Sequence, residues 1–199
     1  MIVSIVDKFR HYMWRILGID QKHIQRVCDH HFLKEDKYSI IGLKSYDNNA
    51  IVYRWSNNKL IIGKYCSISY GVKFILDDGG HTYNEVSTYP FKSNEVSFKA
   101  GIEIGNDVWI GLGATILNGV KIGDGVTVAA GSIVISNVPS YCVVAGIPAK
   151  VVKRKCSEDE AQIMSSIAWW DWEDSLLVER LSDFKLSIPS FISKYGEQT

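Results

Sequence analysis

Apolar residues recur at every sixth position through the middle of the chain. From Ile104 onward that frame holds Ile104, Ile110, Ile116, Ile122, Val128 and Val134. The next position is Gly105, Gly111, Gly123 or Ala129, with Leu117 as the exception. The fifth position is small or β-branched: Val108, Ala114, Val120, Val126 or Ser132. This is the hexapeptide period of a parallel β-helix, in which each hexad makes one short strand and one turn, and three close a coil of about eighteen residues. The aliphatic residue points inward and stacks on its equivalent one coil away, and Gly relieves turns where φ is positive. No coil buries its own apolar face, so stability comes from stacking neighbours.

Upstream the frame is imperfect but legible. Ile41-Gly42 opens one repeat, and Ile62 and Ile68 open two good ones, followed by Phe74. The segment SYDNNAIVYRWSNN is turn-rich and aromatic, which predicts an irregular coil bordering a pocket. From about Leu76 to Gly101 no hexad is visible, and Ile104 resumes in frame, so this stretch reads as an excursion looped out of the solenoid. Val138-Pro139-Ser140-Tyr141 reads as a turn insertion before a last coil that ends near Val152.

Helical periodicity marks the two ends. Ile2, Ile5, Val6, Phe9, Met13, Ile16 and Leu17 form one apolar stripe among charges, predicting an amphipathic N-terminal helix. Those charges break any signal-peptide core and leave no membrane span. Packing on the β-helix or a neighbouring subunit is its expected role, with peripheral membrane contact as the alternative. Ser157 and Glu160 have capping-box spacing and open a C-terminal helix with Ile163, Met164, Ile167 and Trp170 on one face. Leu176, Leu177, Leu181 and Phe184 suggest a second helix, and Trp169, Trp170 and Trp172 read as core packing. The expected organisation is therefore a helical segment over 1–39, a β-helix domain over 40–153 and a helical cap over 154–199 covering the last coil.

Composition narrows the function classes. The 22 basic and 22 acidic residues cancel, giving no reason to expect nucleic acid. Cys28, Cys66, Cys142 and Cys156 form no CxxC pair, so neither a zinc site nor a disulfide framework is indicated, and a reducing cytoplasm is expected. Cys66 occupies a fifth position and reads as structural filler. His30 and His31 sit in a polar stretch and read as solvated.

The chemistry lies in the excursion, which contains DDGGHTYNEVSTYPF. His81 follows two glycines, in a loop able to present it at a coil edge. An imidazole titrating near ~6.5 can take the proton of an alcohol that attacks an electrophile.

Together GGHTYNEVSTYPF, GNDVWIG, VKIGDGVTVAAGSIV, VAGIPAKVVKR and WWDW resemble the xenobiotic acetyltransferase branch of the left-handed β-helix acyltransferases. That branch includes streptogramin (virginiamycin) and hexapeptide-type chloramphenicol acetyltransferases and related capsule or lipopolysaccharide O-acetyltransferases. The likeness covers roughly Ile40 to Trp172. It implies a mainly β fold, a left-handed parallel β-helix assembled as a homotrimer, with acetyl-CoA as co-substrate in a groove between subunits and no metal. By position it makes His81 the catalytic base. It places Trp109 along the cofactor groove, Ala130 beside the pantetheine amides, Ala145 and Gly146 at a close approach of cofactor to backbone, and Lys150 and Lys153 near the nucleotide phosphates.

Without a GxSxG elbow or a cysteine near His81, direct transfer in a ternary complex is the expected mechanism. Two departures bear on the acceptor: the span from Lys92 to Ile104 is only thirteen residues, and the helical N-terminus is long. Both weigh against an antibiotic and favour a sugar or saccharide hydroxyl, with Tyr46, Tyr53 and Trp55 as candidate substrate contacts. An antibiotic O-acetyltransferase is the alternative, and a non-catalytic β-helix scaffold the alternative of another class. The expected place of action is the cytoplasm, including the inner face of the membrane.

Overall fold

The computed structural model describes residues 30–54, 56–77, 86–87 and 101–196. The amphipathic helix expected near the N-terminus, His81, Trp55 and the interior of the excursion lie outside these residues.

Short strands stack into three parallel faces, as the hexads predict. The first face runs through Ser39–Ile41, Leu60–Ile62, Ile102–Ile104 and Lys121–Ile122. The second runs through Tyr46–Asp47, Ser67–Ile68, Trp109–Ile110, Thr127–Val128 and Cys142–Gly146, with Ala149–Arg154 added antiparallel at its end. The third runs through Ile51–Tyr53, Lys73–Ile75, Thr115–Leu117 and Ile133–Val134. Each frame residue stands on its equivalent: Ile62, Ile104 and Ile122 on the first face, Ile68, Ile110 and Val128 on the second, Phe74, Ile116 and Val134 on the third. All nine are buried, and so are the fifth-position residues Cys66, Val72, Val108, Ala114, Val120, Val126 and Ser132.

The glycine after the frame residue has a steric cause on the first face. A Cβ on Gly63 would lie 2.5 Å from the Gly105 carbonyl oxygen of the next coil, closer than any contact allows. The exception, Leu117, belongs to the third face, where the strand runs one residue longer and Leu117 pairs with Ile75. The corner between the first and second faces is further tied by side chains. Asn106 Oδ1 accepts from the Lys64 N–H at 2.8 Å, and Asp124 Oδ1 accepts from the Asn106 N–H at 2.8 Å.

SYDNNAIVYRWSNN supplies the strands Tyr46–Asp47 and Ile51–Tyr53 of a first coil that is irregular in length, as expected: Ile41 pairs with Ile62, twenty-one residues on, where about eighteen is regular. Asp47 fills the frame position above Ile68 and accepts the Ala50 N–H at 2.9 Å, which hides the repeat from a hydrophobicity count. Other expectations change. Helix does not extend to residue 39, because His30–Phe32 is a strand antiparallel to Ile51–Tyr53 and Leu33 behind it is buried. His30 and His31 are exposed. Val138 bridges to Ile122, and Pro139, Ser140 and Tyr141 form the ordinary corner that follows. That coil is shortened by two residues between Val134 and Val138 and carries no insertion.

The C-terminal segment forms α1 (Glu158–Ile167), α2 (Asp174–Glu179) and α3 (Ile188–Tyr195). The Ser157–Glu160 capping box forms in full. These elements lie along the corner between the first two faces, reaching every coil, instead of covering the last one. Lys44 pairs with Asp174, Lys64 with Asp171, the Tyr65 ring meets Trp169, and Ser165 donates to Asp124. Their core is aromatic: Trp172 stacks on Phe191 with centroids 6.0 Å apart, and Trp170 is buried. The helix suggested by Leu176 to Phe184 breaks into α2 and a 3-10 turn at Leu181–Lys185, with no buried residue in either.

Candidate active site

Two separate parts of the β-helix bear on the residues singled out from sequence: one corner of the coil and the face opposite it. The first is the corner between the third and first faces, from which the excursion leaves and to which it returns. Ile62 pairs with Ile104, whereas Ile104 pairs with Ile122, so the excursion adds twenty-four residues to one coil without disturbing its register. Its departure is fixed by Asp77, which is buried. The Asp77 carboxylate accepts the Ser56 N–H at 2.9 Å, the Ser56 hydroxyl, and Asn58 Nδ2 at 2.9 Å. Asn58 Nδ2 also donates to the Leu76 carbonyl at 2.9 Å. Its return is fixed by Gly101, whose N–H donates to Asn118 Oδ1 at 3.2 Å and whose carbonyl accepts the Gly119 N–H at 2.7 Å. Gly101 has φ of 84°, and a Cβ there would lie 2.2 Å from the Lys59 carbonyl oxygen, so only glycine fits.

One coil above Asp77, the Arg54 guanidinium is buried against Asp36, with Nη2 to Oδ2 at 2.6 Å, and lies over the Tyr38 ring. Burying such a pair contributes order more than stability. None of Arg54, Asp36, Ser56, Asn58 and Asp77 was singled out from sequence. The only signal was their spacing around the excursion, because polar residues inside a corner break no hydrophobic pattern.

The second part is the outer surface of the second face. Trp109 pairs with Thr127, Thr127 with Val143, and Val143 with Lys153. Trp109 and Lys153 thus stand in one row, three strand spacings of ~4.8 Å apart. Trp109 is 55% exposed, which suits a ligand-facing ring better than a packing one. Ala145 pairs with Lys150 and Gly146 with Ala149, bringing four of the predicted cofactor residues onto one hairpin with Lys153 two residues past Val151. Ala130 is exposed at the adjoining corner, and its N–H and C=O carry no hydrogen bond among the described residues. Gly131 beside it holds φ of 67°. Trp109, Ala130, Ala145, Gly146, Lys150 and Lys153 therefore share one continuous surface.

The acceptor candidates do not converge in the same way. Tyr46 is exposed on the second face, in line with Ser67 and Trp109. Tyr53 is half-buried on the third face, paired with Ile75 and 5.9 Å from the His30 ring. Trp55 and His81 lie outside the described residues, His81 four positions past Asp77.

Cys66 is buried and donates towards the Gly105 carbonyl at 3.1 Å, and burial raises its thiol above the ordinary range although the Val108 backbone opposes the shift. It is no nucleophile. Among the described residues no three His, Cys, Asp or Glu side chains gather as a metal site, and no helix is long and apolar enough to cross a membrane.

Comparison with known proteins fits this geometry. Residues 101–136 match the family described as bacterial transferase hexapeptide (six repeats). A probable macrolide acetyltransferase of Lysinibacillus sphaericus is 35% identical over 169 residues, spanning 78% of this chain and 94% of the relative. A virginiamycin A acetyltransferase of Staphylococcus aureus is 38% identical over 151 residues, 69% of this chain and 68% of the relative. A chloramphenicol acetyltransferase of Escherichia coli is 39% identical over 127 residues, 58% of this chain and 60% of the relative. Among solved structures, a hexapeptide-repeat acetyltransferase from Vibrio cholerae superposes with a TM-score of 0.52 at 29% identity, over 61% of this chain and 65% of its own. A galactoside acetyltransferase in complex with coenzyme A gives 0.52 at 30% identity, over 62% and 58%. The chain belongs to the hexapeptide-repeat acetyltransferases and is an acyltransferase.

Proposed function

We propose that the protein transfers the acetyl group of acetyl-CoA to a hydroxyl of a saccharide, with His81 as general base. The observation that carries this reading is the continuous surface from Trp109 through Ala130 and Ala145–Gly146 to Lys150 and Lys153. It offers an exposed aromatic ring, unengaged backbone groups and two cations in the order that an acyl-thioester, a pantetheine arm and a phosphorylated nucleotide require. The Vibrio cholerae acetyltransferase was also solved with acetyl coenzyme A, with a TM-score of 0.50 to this chain.

In this mechanism His81 removes the acceptor proton as the oxygen attacks the thioester carbonyl, and CoA thiolate leaves. The buried, proton-holding Cys66 argues against an acyl-enzyme through that thiol. The active species is a left-handed, trimeric β-helix in which the second face of one subunit meets its neighbour across the cofactor. The N-terminal helix packs within this assembly or rests on a membrane surface.

The saccharide preference rests on the sequence: only thirteen residues run from Lys92 to Ile104, little chain with which to wall off an acceptor after the STYPF motif, and an extended glycan needs no closed pocket. The antibiotic reading has its own support, since a probable macrolide acetyltransferase is 35% identical to this chain and aligns over 94% of its own length. Thiol release from acetyl-CoA against a panel of oligosaccharides, a macrolide, chloramphenicol and a streptogramin separates the two. A kcat/KM at least tenfold higher for a glycan supports the saccharide assignment. Efficient turnover of an antibiotic with none on any glycan replaces it with the second reading.

A further inference from the structure

A cavity borders the second face where the C-terminal segment crosses its corner with the first face. Its volume is about 340 Å³, within the range of small-molecule sites. The inner wall is apolar and aromatic, with Met164, Trp169, Phe184 and Phe191, and Asp107 and Lys155 stand solvent-facing at the rim.

Most polar groups here are already engaged. Lys155 Nζ donates to the Gly125 carbonyl at 2.6 Å, and Asp183 accepts from Lys194 Nζ at 2.8 Å and the Tyr195 hydroxyl at 2.6 Å. Two groups are not. The Tyr141 hydroxyl is buried without a hydrogen-bond partner, although Tyr141 as a whole is only 4% exposed. The Asp107 carboxylate makes no hydrogen bond or ion pair among the described residues, and the two groups are close enough for their charges to interact. Family chemistry at the second face uses neither.

We propose that this cavity binds a small organic cation, a protonated amine on an aromatic or apolar body. Its ammonium pairs with the Asp107 carboxylate at the rim, while its body packs against Trp169, Phe184 and Phe191. An ammonium supplies the donor that the Asp107 carboxylate lacks, and the aromatic wall favours a cation over a neutral ring. A carboxylate ligand would meet Asp107 and Asp183 as like charges, with only the already bonded Lys155 to attract it.

Titration gives the proposal a second handle. Crowding by protein pushes the Asp107 carboxyl up to about 6; Lys155 on the returning strand opposes this and Asp124 of the next coil adds to it. Binding of an amine should therefore strengthen from pH 5 to 7.5 as Asp107 ionises. Because the walls come from both the β-helix corner and the C-terminal segment, occupancy should also raise the melting temperature.

The test uses three isosteric probes on the full chain: phenethylamine, phenethyl alcohol and 3-phenylpropionate, by calorimetry and thermal shift at pH 7.5. Phenethylamine should bind at least tenfold more tightly than the other two. Asp107→Asn should abolish that preference while leaving binding of the alcohol and acetyl transfer unchanged. Asn tolerates the φ of 54° at this position, so the variant should fold. Equal binding of amine and alcohol, amine binding that survives Asp107→Asn, or no binding of any probe would overturn the proposal.

Discussion

Replacing Asp77 by Asn tests whether the polar corner under the excursion sets catalytic geometry. Asp77 is 1% exposed and, among the described residues, takes three donors, two from Ser56 and one from Asn58. Asparagine keeps one acceptor oxygen and turns an NH2 toward the remaining donors. At least one hydrogen bond to a charged acceptor is lost and a buried donor is left facing another. Losses of this kind are about 1.5–3 kcal/mol for the bond and a further ~1–3 kcal/mol for the orphaned group, so ~2.5–6 kcal/mol of stability should go. Because the anchor stands four positions before His81, the loop root should also shift. A displacement of ~1 Å at a reacting group costs on the order of 10²-fold in rate. Denaturant titration should show the stability loss. Steady-state kinetics should show kcat reduced about 10- to 100-fold with acetyl-CoA affinity within twofold of the parent, since the second-face ladder shares none of these bonds. If kcat stays within twofold while stability falls as expected, the corner holds the fold and does not position the base.

Three further outcomes follow from the same structure. Lys150→Glu with Lys153→Glu should raise the KM for acetyl-CoA at least tenfold but that for acetyl-pantetheine, which lacks the nucleotide phosphates, less than threefold; equal damage to both would assign the lysines to the fold. Gly101→Ala should cost ~2–4 kcal/mol by denaturant unfolding, from a left-handed φ together with the clash on Lys59, and an unchanged midpoint would refute the close approach. For Asp107 the folded pKa of about 6 lies above the ordinary 3.8, so the folded state binds more protons and stability falls as pH rises between these values. Melting temperatures from pH 3.5 to 7.5 should show Asp107→Asn gaining on the parent across that window, and parallel curves would contradict the shift.

The inner ladder was legible because one aliphatic residue per hexad must point inward, and that constraint is local. The Ile104–Val134 frame appears in the structure residue for residue. Legibility failed where a polar residue does the work of an apolar one. Asp47 replaces a frame aliphatic by bonding its own turn, which hid the strand Tyr46–Asp47 from a hydrophobicity count. The two-residue shortening before Val138 shifted the frame and looked like an insertion. The α3 helix carries Pro189 in its first turn, a position that tolerates proline but reads as a break, and its Phe191 and Tyr195 were missed. An amphipathic helix also does not announce which surface it covers. The capping box at Ser157 fixed where α1 begins, while only the contacts of Lys44, Lys64 and Asp124 place the C-terminal segment along the side. At the candidate site, the residues proposed to hold the cofactor were singled out through their motifs. The Ser56–Asn58–Asp77 anchor was not, because its meaning depends on a corner that exists only after the coils stack.

The most direct test of the central claim is single-site: His81→Ala, assayed with acetyl-CoA and the best acceptor found in the panel. The account predicts a kcat lower by roughly 10²- to 10⁴-fold, an acetyl-CoA dissociation constant within twofold of the parent, and an unchanged oligomeric state. Near-parental turnover in a correctly assembled variant would contradict it and require a different base.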